Sequence, residues 1–324
     1  MVGRSGLVPP EAAHLFERSD RAGAVAVASV WLQIAAIFGV LALVPHPVTF
    51  AIAVVALGTR QHALAVLMHE SAHGLLFRTR RLNERVGEWL CAQPIATDVR
   101  RYRRHHVRHH AHTGTVRDPD RGLAEPFPCG RASLARKLLR DALGLTGLKR
   151  LLAIAAMNAE LLEYTAAVAP RRLPWQSLRH HLAALVRRSA GALAINLGIL
   201  ALLVALGHAW LFAAWALAFV TAFDLILRVR SMAEHAAMDA SADPLRNTRT
   251  TRANWLARAV LAPFAVNYHL EHHLEPALPM RSLPALHRLL RTRGHLDPAL
   301  VAPGYFAVLR EMARSPTTRS IHAS

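Results

Sequence analysis

Cysteine and lysine are scarce in this chain of 324 residues, which contains two of each. The two cysteines, Cys91 and Cys129, exclude a disulfide scaffold and are too few to hold an iron–sulfur cluster. With lysine restricted to Lys137 and Lys149, arginine supplies nearly all of the positive charge. Acidic residues are also few, since 21 Asp and Glu stand against 39 Lys and Arg, and the formal net charge is +18.

The charge and the hydropathy of the chain point to different classes of protein. A pI near 11.5 is typical of a nucleic-acid-binding protein, yet 53% of the residues are hydrophobic, 19% are charged and the mean hydropathy is +0.22. This apolar content excludes a disordered chain. It fits a basic protein only if apolar and basic residues occupy separate segments, as in a membrane protein. We therefore expect a membrane protein with no nucleic-acid partner.

Four apolar segments are long enough to cross a bilayer, which takes about 20 residues. The first is too long for the core of a cleaved signal peptide and is expected to be retained. The second contains Arg60, Gln61 and His62, which must face protein rather than lipid; Arg60 and Gln61 either line a substrate pocket or pack against other spans. The predicted spans are 24–44, 48–68, 189–207 and 209–227.

The distribution of basic residues predicts the topology. The two short connections between paired spans contain no Lys or Arg, and the positive-inside rule therefore places the remaining segments in the cytoplasm. Leu148–Ala169 is interrupted by Asn158, Glu160 and Glu163, which favours amphipathic helices on the membrane surface over a fifth crossing. We predict an all-α single domain over 1–324, with four transmembrane helices in two hairpins and a helical cytoplasmic cap. The cytoplasmic parts are 1–23, 69–188 and 228–324.

Histidine is abundant, with 20 residues, and much of it falls in four short clusters on the predicted cytoplasmic side. His69 and His73 are four residues apart, so on a helix both rings face one metal site. The run from His105 to His112 could be a solvated basic patch if it stood alone. Because four clusters share one side, convergence on metal is the better interpretation. The other two clusters are Glu234-His235 and 269–273.

The chemistry of such a site has several possible forms. The pattern His69-Glu70-x-x-His73 alone also suits a zinc metalloprotease with Glu70 as general base, but this leaves the other clusters unexplained. About nine imidazoles are too many for one ion, so we expect two ions. Imidazole suits iron, zinc, copper and nickel alike. A metal site beside membrane spans, without a serine triad or phosphate loop, points to dioxygen chemistry on an apolar substrate.

Three motifs carry a resemblance to a known family. They are H-E-S-A-H-G at 69–74, H-V-R-H-H-A-H-T at 106–113 with Asp118-Pro119-Asp120 after it, and N-Y-H-L-E-H-H-L-E-P-A-L-P at 267–279. Their order and spacing resemble the integral-membrane fatty acid desaturases, histidine-rich diiron enzymes related to membrane alkane hydroxylases and carotenoid oxygenases. The resemblance extends from about Ala24 to Leu290.

The resemblance implies the metal ligands. His105 and His112 are further candidates in the second motif, and a register that uses His105 in place of His106 stays open. Ser231 stands where some family members have an asparagine before the isolated histidine, so no ligand is expected there. Five histidines match no motif and are expected to be structural or surface residues: His62, His180, His181, His287 and His295. The implied ligands are His69, His73, His106, His109, His110, His235, His269, His272 and His273.

The family's chemistry implies two iron ions and dioxygen as co-substrate. Hydrogen is removed from an unactivated C–H bond; loss of a second hydrogen yields an alkene, whereas addition of oxygen yields an alcohol. No catalytic side chain beyond the ligands is expected, and Glu70, Glu234 and Glu271 are candidates to hold ligand ring N–H groups. The leading prediction is a desaturase of an acyl chain or lipid. The alternative is a hydroxylase or ketolase of an alkane, carotenoid or small metabolite.

Two electrons per turnover must come from a partner. The residues before the first predicted span are too few for a fused haem domain, so we expect a separate carrier such as a ferredoxin with its reductase. An acidic carrier would be attracted to an arginine-rich cytoplasmic face, as would anionic lipid. The expected location is the bacterial inner membrane, with the metal site on the cytoplasmic side.

Overall fold

The structure, a computed structural model, describes residues 6–166, 170–297 and 300–315. Its described part is mostly helical, and the strands in that part are β1 (Thr250–Thr251) and β2 (Val301–Ala302), which pair in parallel. The predicted all-α class is therefore confirmed. Parts of the predicted single domain lie outside the described residues, namely 1–5, 167–169, 298–299 and 316–324.

The α-helices of the described residues are α1 (Asp20–Leu43), α2 (Pro47–Ala72), α3 (Arg80–Val86), α4 (Val99–His112), α5 (Arg121–Ala124), α6 (Arg131–Ala142), α7 (Leu145–Asn158), α8 (Leu178–Ala205), α9 (Leu211–Val220), α10 (Ala222–His235), α11 (Pro244–Asn247), α12 (Trp255–Val260), α13 (His269–Leu274), α14 (Leu283–Thr292) and α15 (Tyr305–Met312). A π-helical turn covers Gly87–Ala92. Short 3-10 helices cover Pro10–Phe16, Gln93–Ile95, Pro263–Ala265 and Met280–Ser282.

Four helical stretches of the described part are long and apolar enough to cross a membrane: α1, α2, α8, and α9 continued by α10. They match the four predicted spans, but each extends further at one end, and α1 begins at Asp20 rather than 24. α2 ends at Ala72 rather than 68, the last span ends at His235 rather than 227, and α8 begins at Leu178 rather than 189. The apolar pattern marks only the part of each helix that suits lipid, whereas the helices continue as polar turns beyond it.

Local signals determine where these helices begin. Ser19 caps α1, because its hydroxyl accepts a hydrogen bond from the Ala22 N–H at 3.2 Å. Pro47 occupies the first turn of α2, where its fixed φ and missing N–H cost nothing. Ser177 caps α8 in the same way as Ser19 caps α1. The extra turns of α8 therefore have an N-terminal signal that hydropathy alone does not show.

Helix α2 is the centre of the bundle and contacts α1, α4, α9 and α10. Its apolar residues join those of α1 and α9 in one buried cluster that includes Val30, Leu57 and Trp215. Gly58 allows α2 and α10 to approach closely, since a Cβ there would lie 2.5 Å from the Ala222 Cβ. In contrast, only 6% of the apolar window of α8 is buried, so this helix presents its apolar surface outward, as a lipid-facing helix does.

The polar residues of the second span make packing contacts. Arg60 donates hydrogen bonds to the Gln33 side chain and to the Ala259 carbonyl. The Gln61 amide donates to the Trp215 carbonyl at 2.9 Å. Of the two roles open for Arg60 and Gln61, these contacts support packing against other elements.

The segments after the spans form a second layer with its own core. Leucine and methionine side chains of α10, α13, α14 and α15 pack together there, with Leu270, Leu286 and Met312 fully buried. Helix α7 has 14 residues, fewer than the roughly 20 that a crossing takes. This length agrees with the expectation that Leu148–Ala169, within its described residues, is not a fifth crossing.

Candidate metal centre

Four separate parts of the chain deliver histidines to one place. His69 lies in the last turn of α2, and His73 directly follows that helix. Helix α4 carries the second motif, His235 ends α10, and α13 carries the third motif. Helix α2 is one apolar span, and α10 is the last part of another. Since His69 and His235 lie at the C-terminal ends of these helices, the site lies where the two spans end.

The nine predicted histidines form two groups, and within each group the candidate ligand atoms lie within 4.8 Å of one another. Helical periodicity divides the motifs between them, because residues four apart share a helix face. On α4, His106 and His110 join one group and His109 the other; on α13, His269 and His273 join one and His272 the other. The first group is His69, His73, His106, His110 and His272, and the second is His109, His235, His269 and His273.

The second motif has one register in the structure. His106 belongs to the first group, whereas the His105 ring contacts the Asp120 carboxylate at 2.6 Å and belongs to neither group. His112 is half-buried at the end of α4 and is also outside both groups. The geometry therefore favours His106 over His105 or His112 as a donor.

The Nε2 atoms converge inside each group. In the first, His110 Nε2 lies 3.0 Å from Nε2 of both His106 and His272. In the second, His269 Nε2 lies 2.9 Å from His235 Nε2 and 3.1 Å from His273 Nε2. Converging nitrogen lone pairs are the arrangement that a shared metal ion requires.

Residues outside the two histidine groups hold some of these rings through Nδ1. The His109 Nδ1 contacts the Asp118 carboxylate at 2.8 Å, and the His235 Nδ1 donates to the Asn247 carbonyl at 3.1 Å. A proton held on Nδ1 leaves the Nε2 lone pair available to a metal. Sequence reasoning missed both roles; the Asp118-Pro119-Asp120 segment after the second motif was the available signal for Asp118.

The three candidate glutamates make different contacts. Glu234 Oε1 lies 3.3 Å from His269 Nδ1, close enough for an ion pair, and accepts a hydrogen bond from Arg230 at 2.6 Å. The Glu70 carboxylate accepts from the Met280 N–H at 3.0 Å. Glu271 is bound by the His287 ring at 2.5 Å and by the Thr250 hydroxyl. Of the three, Glu234 is thus the one whose described contacts reach a clustered histidine, while Glu70 and Glu271 secure the cap around them.

Unpartnered nitrogens show that the groups suit a metal. The Nε2 of His73 and both ring nitrogens of His69, one of which can face the group, are buried without a hydrogen-bond partner. Each such atom costs about 1–3 kcal/mol when it stays unsatisfied. Metal coordination satisfies nitrogen donors in this position, so the residues fit a centre of imidazole-bound ions.

Burial keeps most rings outside the spans neutral. It lowers the pKa of His106, His110, His272 and His273 well below the usual value, and the charges of neighbouring histidines lower it further. Burial and then the charge of Arg103 lower the pKa of His73 to about 4. The neutral imidazole is the form that binds metal.

His109 is the exception among them. Burial opposes charge on its ring, but the hydrogen bond to Asp118 and the charges of Asp120 and Asp118 outweigh burial and raise the pKa of His109. A carboxylate on Nδ1 also makes Nε2 a more basic metal donor. In the second group, carboxylates therefore lie beside the Nδ1 atoms of His109 and His269, as they commonly do beside histidine ligands.

A cavity of about 630 Å³ reaches both groups. His106, His109, His235 and His269 form part of its lining, and so does Ser231. A volume in this range suits a small molecule or part of a lipid chain. The apolar part of the wall includes Ile95, Phe127, Ile154, Met157, Phe223 and Leu227.

Comparison with known proteins decides the family. Residues 45–299, which include all nine clustered histidines, match the family described as fatty acid desaturase. The chain belongs to the fatty acid desaturase family. It is also 35% identical over 66 residues to the dihydrorhizobitoxine desaturase of Bradyrhizobium elkanii, a match over 20% of this chain and 19% of that protein. The chain thus spans about a fifth of the length of this relative. Family and apolar helices together identify a membrane protein with histidine clusters that could bind metal.

Proposed function

We propose that this desaturase-family protein is a membrane diiron oxidoreductase that uses dioxygen and two external electrons to desaturate an acyl chain or related lipid. The observation that carries the proposal is the pair of adjacent buried groups, with five and four histidines. One iron ion in each group accounts for all nine rings. When bound, the irons supply the activation of dioxygen needed to break an unactivated C–H bond.

The protein's own residues have three tasks in this proposal. The nine histidines hold the ions, and Asp118 and Asn247 orient two of the rings through Nδ1. The buried position of the groups excludes water from the reacting atoms. The cavity holds the substrate so that one C–H bond lies beside the histidine groups, which converts the reaction into an oriented, unimolecular event.

Hydroxylation or ketolation of an alkane, carotenoid or small metabolite is the second candidate, because the same centre serves either outcome. The relative from Bradyrhizobium elkanii is named a dihydrorhizobitoxine desaturase, which supports desaturation as the reaction type. The intramembrane zinc protease needs only His69, His73 and one more ligand. It leaves six clustered histidines without a role and is the weakest candidate.

An exposed arginine surface supports an acidic electron carrier, such as a ferredoxin served by its reductase. Its exposed members are Arg80, Arg81, Arg85, Arg100 and Arg104 on α3 and α4, and the half-buried Arg103 lies among them, paired with Glu84 at 2.6 Å. It adjoins the centre, because Arg103 donates hydrogen bonds to the Ala72 carbonyl at 2.7 Å and the Ser71 carbonyl at 3.1 Å, next to His73. We place this face in the cytoplasm of a bacterial cell, with the spans in the inner membrane.

Product analysis tests the proposed function. A host that expresses the chain is profiled for lipids and metabolites beside strains with His272→Ala and His110→Ala, and His112→Ala is the matched control on α4. We expect new alkenes that disappear in the first two variants and persist in the control. A product that gains an oxygen atom transfers the assignment to a hydroxylase. Activity that survives loss of His272 and His110 contradicts the diiron proposal and favours the protease.

A further inference from the structure

Helix α13 supplies histidines to both groups although it has only six residues. His272 belongs to the first group, and His269 and His273 belong to the second. A helix of this length is unstable by itself, because its nucleation is costly and few hydrogen bonds follow. Tyr268, which precedes it, makes no capping hydrogen bond with its side chain. The orientation of the three rings therefore depends on contacts from outside α13.

The chain enters α13 through a strained turn. Phe264 and Ala265 have φ values of 55° and 63°, in the left-handed region that residues other than glycine rarely adopt. Such strain persists only where the surrounding structure holds the backbone in place. The local preference of the chain thus does not set the direction of α13, and the elements packed around this helix must do so.

A buried carboxylate on the far side of α13 provides such a contact. At about 100° per residue, Glu271 points away from the three clustered rings, and it is fully buried. The Nδ1 of His287 on α14 donates to one of its carboxylate oxygens at 2.5 Å, and the hydroxyl of Thr250 on β1 donates to the other. Both oxygens are thus bound by elements that carry none of the nine clustered histidines.

His287 is itself held in place on α14. Leu286 and Leu290 of the same helix are fully buried in the core of the cap. The His287 ring is half-buried and lies 5.1 Å from the Tyr268 ring, measured between the centroids. A ring fixed in this way can impose a direction on the carboxylate that it contacts.

The contacts of Glu271 suit orientation better than stability. Burial removes the carboxylate from water, and the hydrogen bonds from His287 and Thr250 largely offset that loss without exceeding it. A well-packed apolar side chain in the same place is often as stabilising or more so. The polar contacts add a fixed geometry, because a hydrogen bond restricts angle as well as distance.

We propose that His287 is a positioning residue which acts through Glu271, together with Thr250, and fixes the rotation of α13 so that its three rings face both histidine groups at once. The inference deepens the proposed function and rests on its two-ion centre. It distinguishes His287 from a metal ligand, because a ligand serves one ion whereas the orientation of α13 serves both.

Iron binding to metal-free protein in detergent tests this role without a reaction. The affinities for two Fe(II) ions are measured anaerobically by chelator competition, and His272→Ala and His273→Ala assign each ion to its group. We expect His287→Leu to weaken both ions about 10–100-fold, the usual range for outer partners of metal ligands, whereas each ligand variant weakens mainly one. Wild-type affinities in His287→Leu, or weakening of one ion only, overturn the proposal.

Rescue by a conservative variant separates orientation from folding. Asparagine places an amide N–H near the position of Nδ1, so we expect His287→Asn to restore both affinities to within several-fold of wild type. His181→Leu is the structural control, since the buried His181 ring bonds to the Ala159 carbonyl at 2.7 Å and belongs to neither group. We expect this control to lower the unfolding temperature with both affinities unchanged. Equal losses in His287→Asn and His287→Leu, or the same losses in His181→Leu, overturn the proposal.

Two buried threonines of β1 give a second test with little change of shape. Thr250→Val removes the hydroxyl that holds Glu271, whereas Thr251→Val removes a hydroxyl that donates to the Ala233 carbonyl at 3.2 Å. We expect the first substitution to weaken both ions and the second to leave the ion of the first group unchanged. Identical effects of the two substitutions on that ion overturn the proposal.

The two levels of inference fail separately. Wild-type protein that binds fewer than two ions removes the two-ion centre of the proposed function, and the positioning role with it. Two ions in the wild type, with the same affinities in His287→Leu, leave that centre standing and remove the positioning role.

Discussion

At the scale of single residues, the contacts around the histidines matter as much as the histidines themselves. The Asp118 carboxylate holds His109 at Nδ1, and the backbone carbonyl of Asn247 holds His235 at Nδ1. Asn247 could not be assigned from sequence, because its role depends on which loop folds back onto which helix, and the signal for Asp118 was the Asp118-Pro119-Asp120 segment after the second motif. The nine histidines that form the two groups could be predicted as ligand candidates, since the spacing of their motifs already carries the resemblance to the family.

Replacing Asp118 tests the importance of these contacts. Asp118→Asn removes the charge that supports His109, and outer partners of metal ligands typically contribute about 10–100-fold to metal affinity or activity. We expect a loss of this size in iron affinity, measured by chelator competition. Glu125→Gln is the control, since the exposed Glu125 pairs with Arg121 at 2.8 Å and belongs to neither histidine group. Wild-type iron affinity in Asp118→Asn contradicts this role.

The buried rings predict the pH dependence of the iron-free protein. Burial lowers the pKa of His73 from 6.5 to about 4, so the unfolded chain binds this proton at a higher pH than the folded chain does. Stability therefore falls as the pH drops from 6.5 towards 4, because the unfolded state gains protons that the folded state does not. The unfolding temperature of metal-free protein in detergent measures this. An unfolding temperature that stays constant or rises over that range contradicts the prediction.

At the scale of helices, the sequence predicts which segments are helical better than where they end or how they meet. Hydropathy located all four spans, but α8 starts 11 residues before the predicted start, at Leu178 instead of 189. The missed turns are polar and continue into the cap, where hydropathy gives no signal and a capping serine does. Which helices pack together depends on close approaches such as that at Gly58, which no sequence pattern showed.

A larger side chain at position 58 should disturb the metal centre by moving α2 away from α10. Gly58→Val forces α2 and α10 apart, since a Cβ at this position meets Ala222 at 2.5 Å, and these helices carry His69 and His235. Overpacking costs about 1–3 kcal/mol, and we expect lower iron content with a lower unfolding temperature. Gly198→Val on α8 is the control, because a Cβ there meets nothing within 4 Å. Equal effects of both substitutions contradict the packing account.

At the scale of the whole molecule, the charge of +18 is explained by where it lies. Basic residues avoid the short connections between spans and cover the cap. There they form two distinct sets, the arginine surface beside His73 on α3 and α4 and the residues Lys137, Arg140 and Lys149 of α6 and α7, which line the cavity. The predicted topology accounts for the absence of basic residues from the short connections, whereas the division of the basic residues into two sets depends on the tertiary structure.

The arginine surface predicts how electrons arrive. Arg81→Gln, Arg85→Gln and Arg104→Gln together remove three exposed charges from it. We expect a several-fold higher apparent KM for an acidic ferredoxin and a weaker dependence of the reduction rate on salt, with iron content unchanged. Charges at the edge of a protein–protein interface act mainly on the association rate. Stopped-flow reduction measures this. Unchanged reduction kinetics place the carrier elsewhere.

The central claim is that two iron ions occupy the two histidine groups, and the metal content of the purified protein tests it most directly. After anaerobic loading, elemental analysis should find two iron ions per chain. His272→Ala in the first group and His273→Ala in the second should each reduce that content, whereas His112→Ala should not. A single zinc ion per chain, with no iron and with activity indifferent to dioxygen, would contradict the account.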